Sequence, residues 1–279
     1  MIRWQLFRPR RQGSQILLHA LLALFGFLTF VPLVTLLSLS VKDVYQFNVA
    51  PMGITFPMNF ENYALAWKFM RDPILHNLIV ATIATCASLT MATLSAFVFA
   101  RFRFPGRDAL FFAILILLFI PNTVLLVPTY QLIISQNLHN TLWALILPYC
   151  AQQALAIIVI RTFFQELPEE MFDAATVDGA SVLQQFWQIA IPLSLPIISA
   201  MAIFQVWLIW NDYAWPSLVA NTPQARTATL ALIVFNDFAL PQPGAGMAAG
   251  VIAAIPMILL FFVTMRSFIA GLTAGAVKG

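Results

Sequence analysis

The sequence predicts an all-α membrane protein with six transmembrane helices, and three observations carry that prediction. Apolar side chains make up 61% of the 279 residues and charged ones only 9%, against roughly 25% charged in a soluble domain. The apolar residues gather into six runs, each long enough to cross about 30 Å of hydrocarbon, which takes roughly 20 helical residues. The basic residues fall mostly on one side of those runs, as they do in multi-pass proteins.

The runs lie near residues 16–39, 75–100, 109–132, 142–162, 189–212 and 248–268. Arg3, Arg8, Arg10 and Arg11 precede the first, as in a signal peptide. That run is nevertheless long enough to span and ends without a small-residue cleavage site, so it reads as a retained span. With the N-terminus in the cytoplasm, ten of the fourteen Lys and Arg residues lie inside: the four at the N-terminus, Arg101, Arg103, Arg107, Arg161, Arg266 and Lys278. Lys42, Lys68, Arg71 and Arg226 lie outside. Both termini are therefore expected in the cytoplasm. The organisation is a cytoplasmic segment 1–15, a six-span domain 16–268 and a cytoplasmic tail 269–279.

The connecting segments have distinct characters. Ser40–Pro73 is rich in aromatics, Pro and Asn, includes Phe60–Trp67 (FENYALAW), and is expected to form a small outer cap with short helices. Arg101–Asp108 (RFRFPGRD) reads as a tight basic turn anchored at the headgroups. Tyr213–Met247 carries a Pro-X-Pro and two glycines, and suits either an external partner or a passive connector. Pro32, Pro121, Pro128, Pro148, Pro196 and Pro256 fall inside the runs, where freed carbonyls need neighbours or water. Cys86 and Cys150 also fall there, and are expected to be buried free thiols.

Catalytic sequence patterns are missing. The chain has no phosphate loop, no G-x-S-x-G, no H-E-x-x-H and no metal-ligand spacing. His19, His76 and His139 are far apart and near the ends of runs. Ionisable residues at membrane depth, which ion-coupled carriers use, are almost missing. Asp212, in Trp210–Asn211–Asp212, comes nearest, at the outer end of the fifth run. These patterns predict neither a catalytic site, nor a metal site, nor nucleic-acid binding, and energy for any uphill transport must come from another chain.

One polar stretch stands out. Glu166–Pro192 holds five of the eleven acidic residues, Glu166, Glu169, Glu170, Asp173 and Asp178, between two apolar runs. Pro168 suits the first helical position. Glu169 and Glu170 then lie in the first turn, where the helix dipole favours negative charge. Gly179 is a natural stop. Ser181 with Gln184 reads as a capping box starting a second short helix. Small residues Ala174, Ala175, Gly179 and Ala180 flank the bend, where another protein's backbone could approach. An amphipathic loop packed only on its own chain is the plainer alternative.

This hairpin resembles the EAA loop of inner-membrane permease subunits of bacterial ABC importers. The family pattern is E-A-A, three residues, G, nine residues, then I-x-L-P. Here stand Asp173–Ala174–Ala175, Gly179, and Ile189–Ala190–Ile191–Pro192, with Asp for Glu and Ile for Leu. Phe60–Trp67, Ala100–Arg107, Val177–Ser181, Trp210–Asp212 and Gly271–Gly279 further resemble the carbohydrate branch, and within it the smaller partner of maltose-type permease pairs. The resemblance covers nearly the whole chain and implies a type I importer permease fold in the bacterial inner membrane. It implies that Asp173, Ala174, Ala175, Asp178, Gly179 and Ala180 form a coupling hairpin seated on an ATPase dimer, which alone binds ATP and Mg²⁺. Gly275 and Lys278 of the tail would reach the same dimer. A homologous second permease would complete the pore, and an extracytoplasmic solute-binding protein would deliver a sugar or sugar-like solute. Asn122, Gln152, Gln153, Gln205, Trp207 and Asn211 have the side-chain chemistry for solute contact, although such groups also serve as ties between helices. A permease for a polyol, osmolyte or glycerol phosphate is the near alternative; a stand-alone carrier or channel, or a membrane enzyme, is the distant one.

Overall fold

The computed structural model describes the backbone of residues 12–238 and 242–276, and the side chains of 15–237 and 242–265. The basic residues Arg3, Arg8, Arg10, Arg11 and Lys278 lie outside the described residues, as does the surrounding of Gly275. Among the described residues the regular structure is helical. In order it comprises α1 (Gln12–Ser40), α2 (Val44–Val49), α3 (Glu61–Arg101), α4 (Arg107–Leu117), α5 (Asn122–Ser135), α6 (Trp143–Ala151) and α7 (Ala154–Glu166). There follow α8 (Glu169–Val177), α9 (Val182–Gln185), a π turn (Phe186–Ala190), α10 (Ile191–Asn211), α11 (Ala214–Val219), α12 (Ala228–Phe238) and α13 (Pro243–Ala276).

Four helical stretches are long and apolar enough to cross a membrane: Gln15–Ser40, Glu61–Arg101, Val182–Asn211 and Pro243–Met265. The runs at 109–132 and 142–162, expected as single spans, are each broken. The axes of α4 and α5 meet at 96°, and those of α6 and α7 at 41°. The first break follows from Pro121, which cannot donate to a preceding carbonyl and sits extended (φ −61°, ψ 132°) before α5. The second lies at Gln152, whose backbone leaves the helical region (φ −80°, ψ 70°). Pro32, Pro128, Pro148, Pro196 and Pro256 are carried inside helices, as is Pro73.

Two further expectations are corrected. The segment Glu61–Trp67 is not loop but the start of α3, begun where Asn59 Oδ1 accepts from the Glu61 N–H at 3.1 Å. Residues 213–238, expected as either a partner-contacting or a passive connection, are largely ordered as α11 and α12. Both cysteines are free, yet Cys86 is exposed and Cys150 half-buried. On a lipid-facing helix an exposed thiol needs no burial inside the chain, since it sits in hydrocarbon as a small hydrophobe.

The chain forms two compact units, one built from the chain through Lys68 with Phe235–Ile252, the other from Phe69–Val234 with the chain from Ala253 on. The second unit has two apolar clusters. One gathers Val80 and Ala84 of α3, Leu145 and Tyr149 of α6, Ile209 of α10 and Trp215 and Val219. The other gathers Phe97 of α3, Ile160 and Phe164 of α7, and Phe172, Phe186 and Ala190 of the polar stretch. In the first unit, Asn62 Nδ2 donates to the carbonyls of Ser40 and Lys42, each at 2.9 Å, and Gly244 in the first turn of α13 lies against the same carbonyl of Lys42. A Cβ on Gly244 would collide with that carbonyl and with the Asn62 carboxamide. Gly244→Ala is expected to lower stability by about 1–3 kcal/mol through overpacking. Gly26→Ala, with nothing within 4 Å of the added carbon, should not lower it; thermal melts in detergent compare the two.

Candidate functional site

The polar stretch folds as a hairpin whose shape is set locally. Pro168 takes the position before the helix (φ −56°, ψ 131°), one residue earlier than expected, so Glu169 and Glu170 begin α8. At the other end the Gly179 N–H donates to the Thr176 carbonyl at 3.0 Å and the Ala180 N–H to the Ala175 carbonyl at 2.8 Å. That pair of bonds is a Schellman motif, and Gly179 at φ +80° supplies its left-handed residue. Ser181 then caps α9: its Oγ accepts from the Gln184 N–H at 3.3 Å while its own N–H donates to Gln184 Oε1 at 2.7 Å. The second arm is not a short helix as expected. It runs through the π turn into α10, an unbroken stretch from Val182 to Asn211. The π turn ends beside Pro192, whose missing N–H makes a regular ladder impossible there.

The two arms are tied to each other and to the unit beneath. Gln185 Nε2 donates to Thr176 Oγ1 at 2.9 Å, and Thr176 Oγ1 donates to the Phe172 carbonyl at 2.8 Å. Phe172 and Phe186, one from each arm, are buried against Phe97, with ring centroids 6.4 and 5.2 Å away. Phe164 of α7 closes the cluster edge-on at 5.8 Å. Arg101, one turn beyond Phe97, lays its guanidinium 3.8 Å over the Phe172 ring and donates to the Leu167 carbonyl at 3.1 Å. Arg161 of α7 stands likewise 3.8 Å over Phe111 of α4. These aromatic grips were not read from the sequence. Phe97 and Phe172 look like ordinary apolar residues, and only Arg101 carried a signal, as a headgroup anchor.

What the hairpin presents is a small, acidic, open surface. Asp173, Ala174, Asp178 and Gly179 are exposed, while Ala175 and Ala180 are half-buried. Nothing lies within 4 Å of a carbon added to Gly179. The six residues singled out in sequence thus share one hairpin, with its apolar side gripped and its bend free.

The six candidate solute residues do not share one setting. Gln205 is buried and donates to the Tyr149 carbonyl at 3.2 Å, tying α10 to α6. Gln153 donates to the Cys150 carbonyl at 2.8 Å, and with Gln152 occupies the break between α6 and α7. Asn211 donates to the Trp207 carbonyl within its own helix at 2.9 Å, and Trp207 stacks on Phe204 with centroids 6.1 Å apart. Asn122 opens α5 at the sharp bend and is exposed. Asp212 is engaged rather than free: Tyr149 Oη donates to its Oδ2 at 2.8 Å and the Trp215 N–H to its Oδ1 at 3.3 Å.

Phe97→Ala is expected to leave a cavity under both arms costing about 3 kcal/mol. Its check is limited proteolysis, with cleavage inside 169–185 accelerating relative to the rest of the chain.

Comparison with known proteins fits this geometry. The family profile described as "Binding-protein-dependent transport system inner membrane component" matches residues 88–273, which include the hairpin. The chain is 31% identical to the arabinooligosaccharides transport system permease protein AraQ of Halalkalibacterium halodurans, over 97% of this chain and 100% of that one. It is 30% identical to the sn-glycerol-3-phosphate transport system permease protein UgpE of Yersinia enterocolitica, over 94% and 97%. A solved bacterial ABC transporter involved in import of the acidic polysaccharide alginate has the same fold in one chain, with TM-score 0.79, 20% identity, and coverage of 94% of this chain and 99% of that one.

Proposed function

Because this chain belongs to the family of inner-membrane components of binding-protein-dependent transport systems, we propose that it is the permease subunit of an ATP-driven importer for a sugar or sugar-like solute. The observation that carries the sugar reading is the full-length likeness to an arabinooligosaccharide permease. The likeness to a glycerol-phosphate permease, over nearly as much of the chain, keeps a phosphorylated polyol as the second reading.

In this reading each bent pair, α4 with α5 and α6 with α7, serves as one span. Six spans then place both termini and the hairpin on the cytoplasmic side of a bacterial inner membrane. Asp173, Ala174, Ala175, Asp178, Gly179 and Ala180 dock on a dimer of separate ATPase subunits that holds ATP and Mg²⁺, with Gly275 and Lys278 reaching toward it. The exposed bend supports that role, since small side chains admit a partner's backbone and the carboxylates select a basic cleft. When the ATPase dimer closes on ATP, force enters at α8, passes through the Phe97 cluster into α3 and α7, and swings the spans between outward and inward access as rigid bodies. A homologous second permease completes the pore, and an external binding protein delivers the solute. Asn122, Gln152, Gln153, Trp207 and Asn211 are the side chains of this chain offered to it.

Two outcomes check the proposal. Co-expression with the neighbouring genes of its operon and native mass spectrometry should find this chain with two ATPase copies and one homologous permease; a lone chain active without any ATPase overturns it. Gly179→Asp should insert and fold, because the bend has room for a side chain and aspartate tolerates positive φ better than most residues. It should abolish uptake while leaving ATP hydrolysis no longer stimulated by the loaded binding protein. Loss of the folded chain from the membrane, instead of loss of coupling, counts against the docking role.

A further inference from the structure

The segment between α1 and α3 buries a lysine and a glutamine while most of its large apolar side chains face outward, with Asp43 and Asn48 also exposed. Lys42 is buried, and its ammonium donates to the carbonyls of Ala50 at 2.5 Å and Pro51 at 3.2 Å. Gln46 is buried and donates to the Pro57 carbonyl at 3.0 Å, within a capping box formed with Asp43. Ser40 and Tyr63 share a hydrogen bond of 2.7 Å, and Asn62 is spent on two carbonyls. The outward side chains are Tyr45, Val49, Met52, Ile54, Phe56 and Phe60, each 63–88% exposed. No charged residue occurs from Val44 to Phe60.

This arrangement is the reverse of a water-facing loop, which buries its large apolar side chains and leaves lysine in solvent. For Lys42 and Gln46 it is the arrangement expected of polar groups satisfied internally where the surroundings cannot do so, although the Thr55 hydroxyl has no partner. The height of the segment is also fixed. Ser38 Oγ donates to the Gly53 carbonyl at 2.7 Å, and the Asn59 N–H donates to the Val41 carbonyl at 2.7 Å. Gly53, between Met52 and Ile54, therefore lies level with the last turn of α1. Along the last two to three turns of α1 the apolar side chains Leu33, Val34 and Leu37 are themselves at least half exposed. The apolar surface is continuous from the helix onto the loop, and Tyr45 is of the type enriched at the headgroup boundary.

We propose that residues 44–60 lie in the interfacial layer of the bilayer, their apolar face against phospholipid, with Lys42 as the internal clamp that holds the segment in shape. The surface is committed to lipid, rather than to a protein, by the uncharged stretch and by its continuity with the membrane end of α1.

The test uses the complete importer in nanodiscs, with Cys86 and Cys150 replaced by serine and a nitroxide on cysteine at Met52 or Phe56. Both positions are highly exposed, so the label disturbs no packing. Accessibility to oxygen and to a water-soluble nickel chelate is then measured by power saturation. Oxygen access exceeding nickel access at both positions is the expected result. Nickel access exceeding oxygen access would mean a water-facing loop, and low access to both would mean cover by a second permease or the binding protein; either overturns the proposal. Lys42→Met gives an independent reading: it removes both carbonyl bonds, and the labels should then lose their fixed depth and shift toward nickel access. Unchanged depth in that variant overturns the clamp.

Discussion

The burial of Phe97 against one ring from each arm of the hairpin is the contact on which the rest depends. The acidic, mostly exposed first arm has little cohesion of its own: α8 has nine residues, short of the length at which isolated helices persist in water. Phe172 and Phe186 give it a foothold, and that foothold stands on α3 and α7, which continue into the apolar body of the unit. Arg101 makes the same foothold from the charged side, using a ring face and a backbone carbonyl as its partners. The hairpin can therefore carry load while leaving its bend empty.

A second set of ties works at a distance from the hairpin. Tyr149, Gln205, Asp212 and Trp215 bind α6, α10 and α11 through side-chain bonds, including the Trp215 Nε1–H donated to the Ala144 carbonyl at 3.0 Å. Among helices already surrounded by hydrocarbon, apolar burial drives little association, and such polar bonds and close packing hold the bundle. This explains why Asp212, at the C-terminal end of α10, is a fastener between helices.

Much was legible in the sequence because membrane chemistry is severe. The apolar runs marked the helices, and the hairpin was written in local signals: the glycine stop, the serine cap with its glutamine, and the acidic first turn all stand where the residues placed them. What was not legible depends on partners distant in sequence. The breaks at 118–121 and 152–153 lie inside apolar runs, so hydropathy alone reads straight through them. Proline could not decide the matter, since Pro121 sits at a break whereas Pro128, Pro148 and Pro196 are carried within helices. The Phe97 cluster was hidden for a similar reason: among 25 phenylalanines, none announces which others it will meet. Gln205 shows the limit for polar residues, since its chemistry suits a sugar while its bond goes to a neighbouring helix.

The π turn at Phe186–Ala190 gives the junction between hairpin and span a definite phase. In a regular α-helix each residue advances the azimuth by about 100°, and a π turn absorbs extra chain without advancing the face in step. Trp187, exposed, and Phe186, buried, sit on this turn. The direction in which the acidic bend looks, relative to the membrane face of α10, is thus an angular offset stored in one irregular turn.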